Sequence, residues 1–198
     1  MKISGIILTV LLLFSVLFQS IVIMATNKTE EQKYNVIQKD KDFEIRYYPA
    51  ATFATIESKA NNYRDLSSPG FRKLAGYIFG NNESATHISM TSPVHMDVND
   101  TLSTMSFVMP SVYNKTNLPN PKDASVKIQE IPDEFVAVIR FGGYANDQKM
   151  KFYSDKLKNI LTEKQIKAIG HFRFLGYNPP FQFIGRRNEI IVSIEWNK

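Results

Sequence analysis

From His87 to Val98 the chain alternates with period two. Ile88, Met90, Ser92, Val94, Met96 and Val98 hold the even positions; His87, Ser89, Thr91, Pro93, His95 and Asp97 hold the odd ones. That spacing predicts a long strand with one dry face and one wet face. Pro93 removes a ladder donor, so the strand must bend there or lie at an edge. Met90 and Met96 give the dry face soft, adaptable surface of the kind a flat apolar ligand would need.

The same reading extends along the chain. Phe43, Ile45 and Tyr47 alternate with Glu44, Arg46 and Tyr48, and after Pro49 and Ala50 a β-rich run returns over residues 52–57, which predicts a hairpin. Residues 61–79 read as a helix with Phe71, Leu74, Ala75 and Ile78 as its apolar stripe. Ser67 or Ser68 is the expected cap, Pro69 suits the first turn, and Gly80 and Asn81 can end it. A strand over 103–109 follows, then a connector over 114–124. The pattern then repeats. Strands over 126–131 and 135–141 flank a turn at Pro132 and Asp133, and a helix carries Met150, Tyr153, Leu157, Ile160 and Leu161. Strands over 171–177 and 189–196 end the chain. The order is ββαββ, connector, ββαββ: an α+β domain. Each half could bury only one sheet face, so two halves should join as one distorted barrel or sandwich, with a ligand cleft at the seam.

The N-terminus changes the picture. Residues 3–25 carry no charge, 23 residues against the ~20 a helix needs to cross a bilayer. A cleavable signal has a shorter apolar region, about 7–15 residues, and small residues at the cut, which Ile23-Met24-Ala25 does not supply. Residues 1–25 are therefore expected to be a transmembrane anchor, or alternatively a signal sequence, with 26–32 a linker and 33–198 the domain. The domain would be membrane-anchored and extracytoplasmic, or secreted or periplasmic if the segment is cut.

Composition narrows the chemistry. A net charge of +5 from dispersed lysines and arginines gives no basic stripe, so nucleic acid is not an expected partner. The absence of cysteine excludes disulfides, thiolate catalysis, zinc–thiolate sites and thioether haem attachment. His87, His95 and His171 lack metal-site spacing, so no metal is expected. No nucleophile elbow or phosphate-cradling loop is present, and no catalytic residue is assigned. Arg186-Arg187-Asn188-Glu189 could orient a carboxylate ligand. The plainer reading is a turn capped by Asn188, its arginines solvated or paired with nearby acids. Sequons at Asn27, Asn82, Asn99 and Asn114 fall in polar tail or loop segments.

Five ordered motifs then point to one family. They are Phe43-Glu44-Ile45-Arg46-Tyr47-Tyr48, Gly70-Phe71-Arg72-Lys73-Leu74-Ala75-Gly76-Tyr77-Ile78, the strand from Ile88 to Val94, Phe141-Gly142-Gly143-Tyr144-Ala145, and Gly176-Tyr177-Asn178-Pro179-Pro180-Phe181 with Arg186-Arg187-Asn188-Glu189. With these, the chain resembles the SOUL/haem-binding protein (HEBP) family from Tyr34 to Trp196. The resemblance implies a distorted β-barrel of two ββαββ-type repeats with two flanking helices. It also implies reversible, non-covalent binding of haem or another tetrapyrrole in an apolar cleft beside the first helix of the domain. Phe71, Leu74, Ala75 and Ile78 would form the helix wall, with Arg72 and Lys73 as the nearest cations. Met90 would add to the apolar surface, and Phe181 and Gln182 would close the other side. Tyr47 stands where one subgroup has a histidine proposed as axial ligand. The expected function is haem buffering, transfer or scavenging by a membrane-tethered or exported binding protein. The alternatives are a module for another amphipathic small molecule and an enzyme acting on tetrapyrroles.

Overall fold

The architecture turns on two bends, at Pro49 and at Pro132. In the computed structural model, which describes residues 2–196, strand β3 (Glu44–Tyr48) leads through Pro49 into β4 (Ala51–Ser58), and β8 (Val126–Ile131) leads through Pro132 into β9 (Glu134–Phe141). Neither pair is a hairpin. Instead β3 pairs with β9 and β4 with β8. The register does not slip across the bends: Tyr48 faces Glu134 before them and Ala51 faces Ile131 after them. Two long segments therefore run as one antiparallel ribbon. It opens where prolines remove ladder donors, and both strands turn the corner together. The hairpin expected over residues 43–57 is corrected accordingly.

Four of the remaining strands fill the space between the ribbon's halves, and one, β2 (Asn35–Lys39), flanks β3 at the edge. The four are β6 (Val94–Asp97), β7 (Ser103–Val108), β10 (Ala168–Gly176) and β11 (Asn188–Ile194). The nine-stranded antiparallel sheet has the order β2-β3-β9-β11-β10-β6-β7-β4-β8. Its end strands β2 and β8 do not pair, so the expected barrel is not closed by a ladder. The bent ribbon links the two ends through the chain instead.

The long strand expected over residues 87–98 is also corrected. It is two short strands, β5 (Thr91–Ser92) and β6, separated at Pro93. β5 leaves the main sheet for a parallel pair with β1 (Glu30–Glu31), which lies in the segment read as a linker. The dry face holds for Ile88 and Met96, both buried. The wet face does not, since Thr91 and His95 are buried as well. That side of the sheet is covered too.

Two helices pack on the other side. Helix α2 (Tyr63–Ile78) lies on β4, β7 and β8, and α3 (Asp147–Glu163) on β9, β10 and β11. Asn62 caps α2 by accepting from the Asp65 N–H at 2.9 Å, so Ser67, Ser68 and Pro69 lie inside the helix rather than at its start. Asn146 caps α3 in the same way through the Lys149 N–H. Leu74 and Ile78 join Leu157, Leu161, Ile45, Ala54 and Met105 in one core. Each fully buried leucine or isoleucine contributes about 1.5–3 kcal/mol. Gly70 lets α2 sit close to the sheet: a Cβ there would stand 3.1 Å from Met105 Sδ and 3.3 Å from Ile56.

Helix α1 (Lys2–Asn27) precedes this body. Its segment Ile6–Asn27, 22 residues, is long and apolar enough to cross a membrane. From Ile6 to Phe18 its large apolar side chains are exposed, whereas Gln19 and Val22 are buried against the domain.

Candidate functional site

Helix α2 divides the expected ligand wall between two sides. Leu74 and Ile78 point into the core and are closed to any ligand on the surface. Phe71 is 40% exposed and Phe79 57%, with half-buried Ala75 between them at helical spacing. The outward stripe is thus Phe71, Ala75 and Phe79. Phe71 is held by the Phe107 ring, with centroids 5.2 Å apart. Arg72 and Lys73 flank it and are exposed. Lys73 donates to Ser125 Oγ at 3.2 Å, while Arg72 makes no side-chain bond or ion pair among the described residues. Met90 is half-buried against the core.

The other expected residues lie elsewhere. Tyr47 donates to Asp133 Oδ2 at 3.1 Å and packs on Phe135. The Asp133 bond raises its pKa, which favours the neutral phenol over the tyrosinate that would ligate ferric iron. Phe181 and Gln182 meet α1. Gln19 Nε2 donates to the Phe181 carbonyl, Thr26 Oγ1 bonds Gln182 Oε1, and the Phe181 ring lies 6.4 Å from Phe18.

The second face of the sheet holds a constellation that periodicity did not reveal. Arg46 (3% exposed) donates through both terminal nitrogens to Glu189 (0%), at 2.8 and 3.1 Å. Glu189 also accepts from Tyr177 Oη at 2.8 Å and from Arg187 Nε at 3.0 Å. Burial alone would raise the Glu189 pKa, but Arg46 and Arg187 outweigh it and hold the carboxyl below its ordinary value. Burial, then the Glu189 charge, pushes Tyr48 up to about 12 and Tyr177 well above 10. Alongside, Arg173 pairs with Glu134 at 2.7 Å, and His95 bonds Gln32 at 2.8 Å. Burial, with Arg173 nearby, pushes the His95 pKa down to about 3, so the ring is neutral. Of the arginines expected to be solvated or paired with nearby acids, Arg187 is paired, with Glu189 and Glu31, and Arg186 bonds backbone carbonyls of its own loop. The signal available was alternation: Glu44, Arg46 and Tyr48 share a face with period two, as do Glu189, Ile191 and Ser193.

Two cavities border this face. One of about 160 Å³ is lined by Tyr48, Thr55, His95, Ser106, Glu134 and Arg173, and one of about 290 Å³ by Glu30, Glu31, Met109, Tyr113 and Glu130. The larger reaches the lower end of the roughly 300–1,000 Å³ that encloses a drug-sized ligand, and the smaller falls short of it.

The chain is similar to known proteins in sequence and in fold. The chain is 30% identical to Heme-binding protein 1 of Xenopus laevis over 155 residues, 75% of this chain and 81% of that one. It is 31% identical to Heme-binding protein 2 of Mus musculus over 156 residues, 75% of this chain and 76% of that one. Among solved structures, the EcmrR C-terminal domain superposes with a TM-score of 0.57 at 9% identity, covering 83% of this chain and 99% of that one. A hydrolase from Listeria innocua gives 0.54 at 7% identity, covering 80% and 94%. At those identities the likeness is one of fold. The family model described as SOUL heme-binding protein matches residues 29–193, and the chain belongs to that family.

Proposed function

We propose that this protein binds haem or a related tetrapyrrole non-covalently on the outer face of α2, in a domain held at a membrane by α1. The observation that carries this reading is an exposed aromatic stripe, Phe71 and Phe79 about Ala75, beside the unpaired cation Arg72. A macrocycle with an apolar ring and carboxylate tails matches that pairing of surfaces. Laying one ring face, roughly 200 Å², on apolar side chains removes a like area from each partner, roughly 400 Å² in all, and yields about 10 kcal/mol before association costs. Binding of that strength is reversible, which suits buffering or transfer better than permanent cofactor retention. Met90 and Lys73 are the next side chains expected to contribute. We assign no axial bond to Tyr47, whose hydroxyl is engaged with Asp133. We read the protein as a carrier rather than an enzyme, because the charged groups of the second face are saturated by one another.

The test is a haem titration of the full chain in detergent micelles, followed by the Soret band. Phe71→Ser and Arg72→Glu should each weaken binding, whereas Tyr47→Phe should leave it unchanged. An unshifted Soret band at micromolar haem overturns the reading. Equal affinity in wild type and both α2 variants removes the site from this face.

A further inference from the structure

The loop after β10 has a surface suited to lipid. Phe181, Phe183 and Ile184 expose 54%, 50% and 56% of their surface, and no charged residue lies from Asn178 to Gly185. Beneath them, buried Gln182 and half-buried Arg186 tie the loop to itself. Arg186 donates to the carbonyls of Asn178, Pro179 and Gln182, Gln182 Nε2 to that of Ile184, and Tyr144 Oη to that of Pro180. Water would satisfy an exposed loop without such bonds. A loop in hydrocarbon must satisfy its own backbone, because each orphaned polar group there costs several kcal/mol.

The neighbouring helix fixes the depth. Gln19 of α1 grips the same loop at both sides: its amide donates to the Phe181 carbonyl at 3.0 Å and accepts from the Phe183 N–H at 3.1 Å. Gln19 lies eight residues before Asn27, where the apolar span ends and Lys28 begins the charged sequence. Eight residues of helix are about 12 Å. If α1 spans a bilayer with Asn27 at the surface, the loop bound to Gln19 is carried below that surface.

We infer that the Phe181–Ile184 loop is a second membrane contact, inserted into the acyl chains of the leaflet from which α1 emerges. It rests on the anchor reading of α1. The domain would then be docked with one edge in the bilayer rather than tethered loosely above it. A tetrapyrrole dissolved in the lipid would lie beside the domain instead of having to diffuse through water.

The chain has no cysteine, so single-site labelling is direct. The exposed positions permit Leu12→Cys in α1, Phe183→Cys and Ile184→Cys in the loop, and Ala124→Cys on the α2–Ser125 side as the aqueous reference. Each full-length variant is labelled with an environment-sensitive fluorophore in phosphatidylcholine vesicles. Labels at positions 12, 183 and 184 should shift to the blue and be quenched by nitroxide-bearing lipid, and the label at 124 by aqueous iodide. Iodide quenching at 183 and 184 with lipid quenching at 12 overturns the loop insertion and leaves the anchor standing. Iodide quenching at 12 as well overturns both.

Discussion

The two faces of the nine-stranded sheet are both dry, and they are dry for opposite reasons. The helix-bearing face buries Ile45, Ala54, Met105, Ile190 and Val192 under α2 and α3. The second face buries Arg46, Glu189, Thr55 and His95 beside the apolar patch of Val136, Val138, Leu175 and Ile191. On the first face almost any apolar side chain of similar volume fits, because contact with hydrocarbon has no direction. On the second each charged group needs its partners at fixed places, because an uncompensated buried ion is costly. Arg46 meets Glu189 only while β9, between their strands, keeps register with both β3 and β11. The polar face is therefore sensitive to strand slippage, as the apolar face is to volume.

This contrast can be broken at its strongest point first. Glu189→Ala leaves Arg46 buried without its bidentate partner and should cost about 3–5 kcal/mol in urea unfolding. Replacing both, Arg46→Met with Glu189→Leu, should recover the part of that loss due to the unpaired Arg46, leaving Tyr177 and Arg187 short of an acceptor; a double variant no better than the single would refute the charge-pair account. On the helix face, Leu74→Ala opens a cavity under α2 and should cost about 2–5 kcal/mol by the same measurement, with no apolar partner able to rescue it.

Acid discriminates the faces next. The folded protein holds His95 at about 3, well below the ordinary 6.5, so the unfolded chain binds a proton there that the folded chain does not. Stability from this group is present at neutral pH and is lost as pH falls below 6.5 towards 3, by about 1.4 kcal/mol per pH unit. Glu189, depressed from 4.5, acts in the same direction at lower pH. His95→Gln should flatten the upper part of that slope, and an unchanged slope would exclude His95 as its source. The smallest effect belongs outside both faces: Lys151→Ala breaks an exposed pair with Asp155 and should change stability by about 0.5 kcal/mol or less.

Much of this was legible before folding. The helices declare themselves by apolar stripes, and the five motifs give the family. The bent ribbon was not legible, because a proline between two strands signals a hairpin and a shared corner equally well. Only the distant pairing of Tyr48 with Glu134 decides between them. The second face was misread for a related reason. Alternation separates two sides of a strand, and a polar side is taken as wet when nothing in the local sequence reveals its distant partner. His95 and Arg46 illustrate this, since Gln32 and Glu189 lie on remote segments. Asn82 shows it for modification: a sequon expected in a loop is wholly buried, bonded to the Tyr77 and Thr86 carbonyls and to the Thr86 N–H.

The continuous ribbon also orders events during synthesis. A ribosome releases β3 and β4 well before β8 and β9 exist. β4 finds β7 early, within the same half of the chain, but β3 must wait for β9 on one of its edges. Until Phe141 has emerged, the nascent protein carries an open strand edge beside Arg46 with no Glu189 to meet it. That interval is the one most open to misassembly, since unpaired edges are templates for wrong pairing.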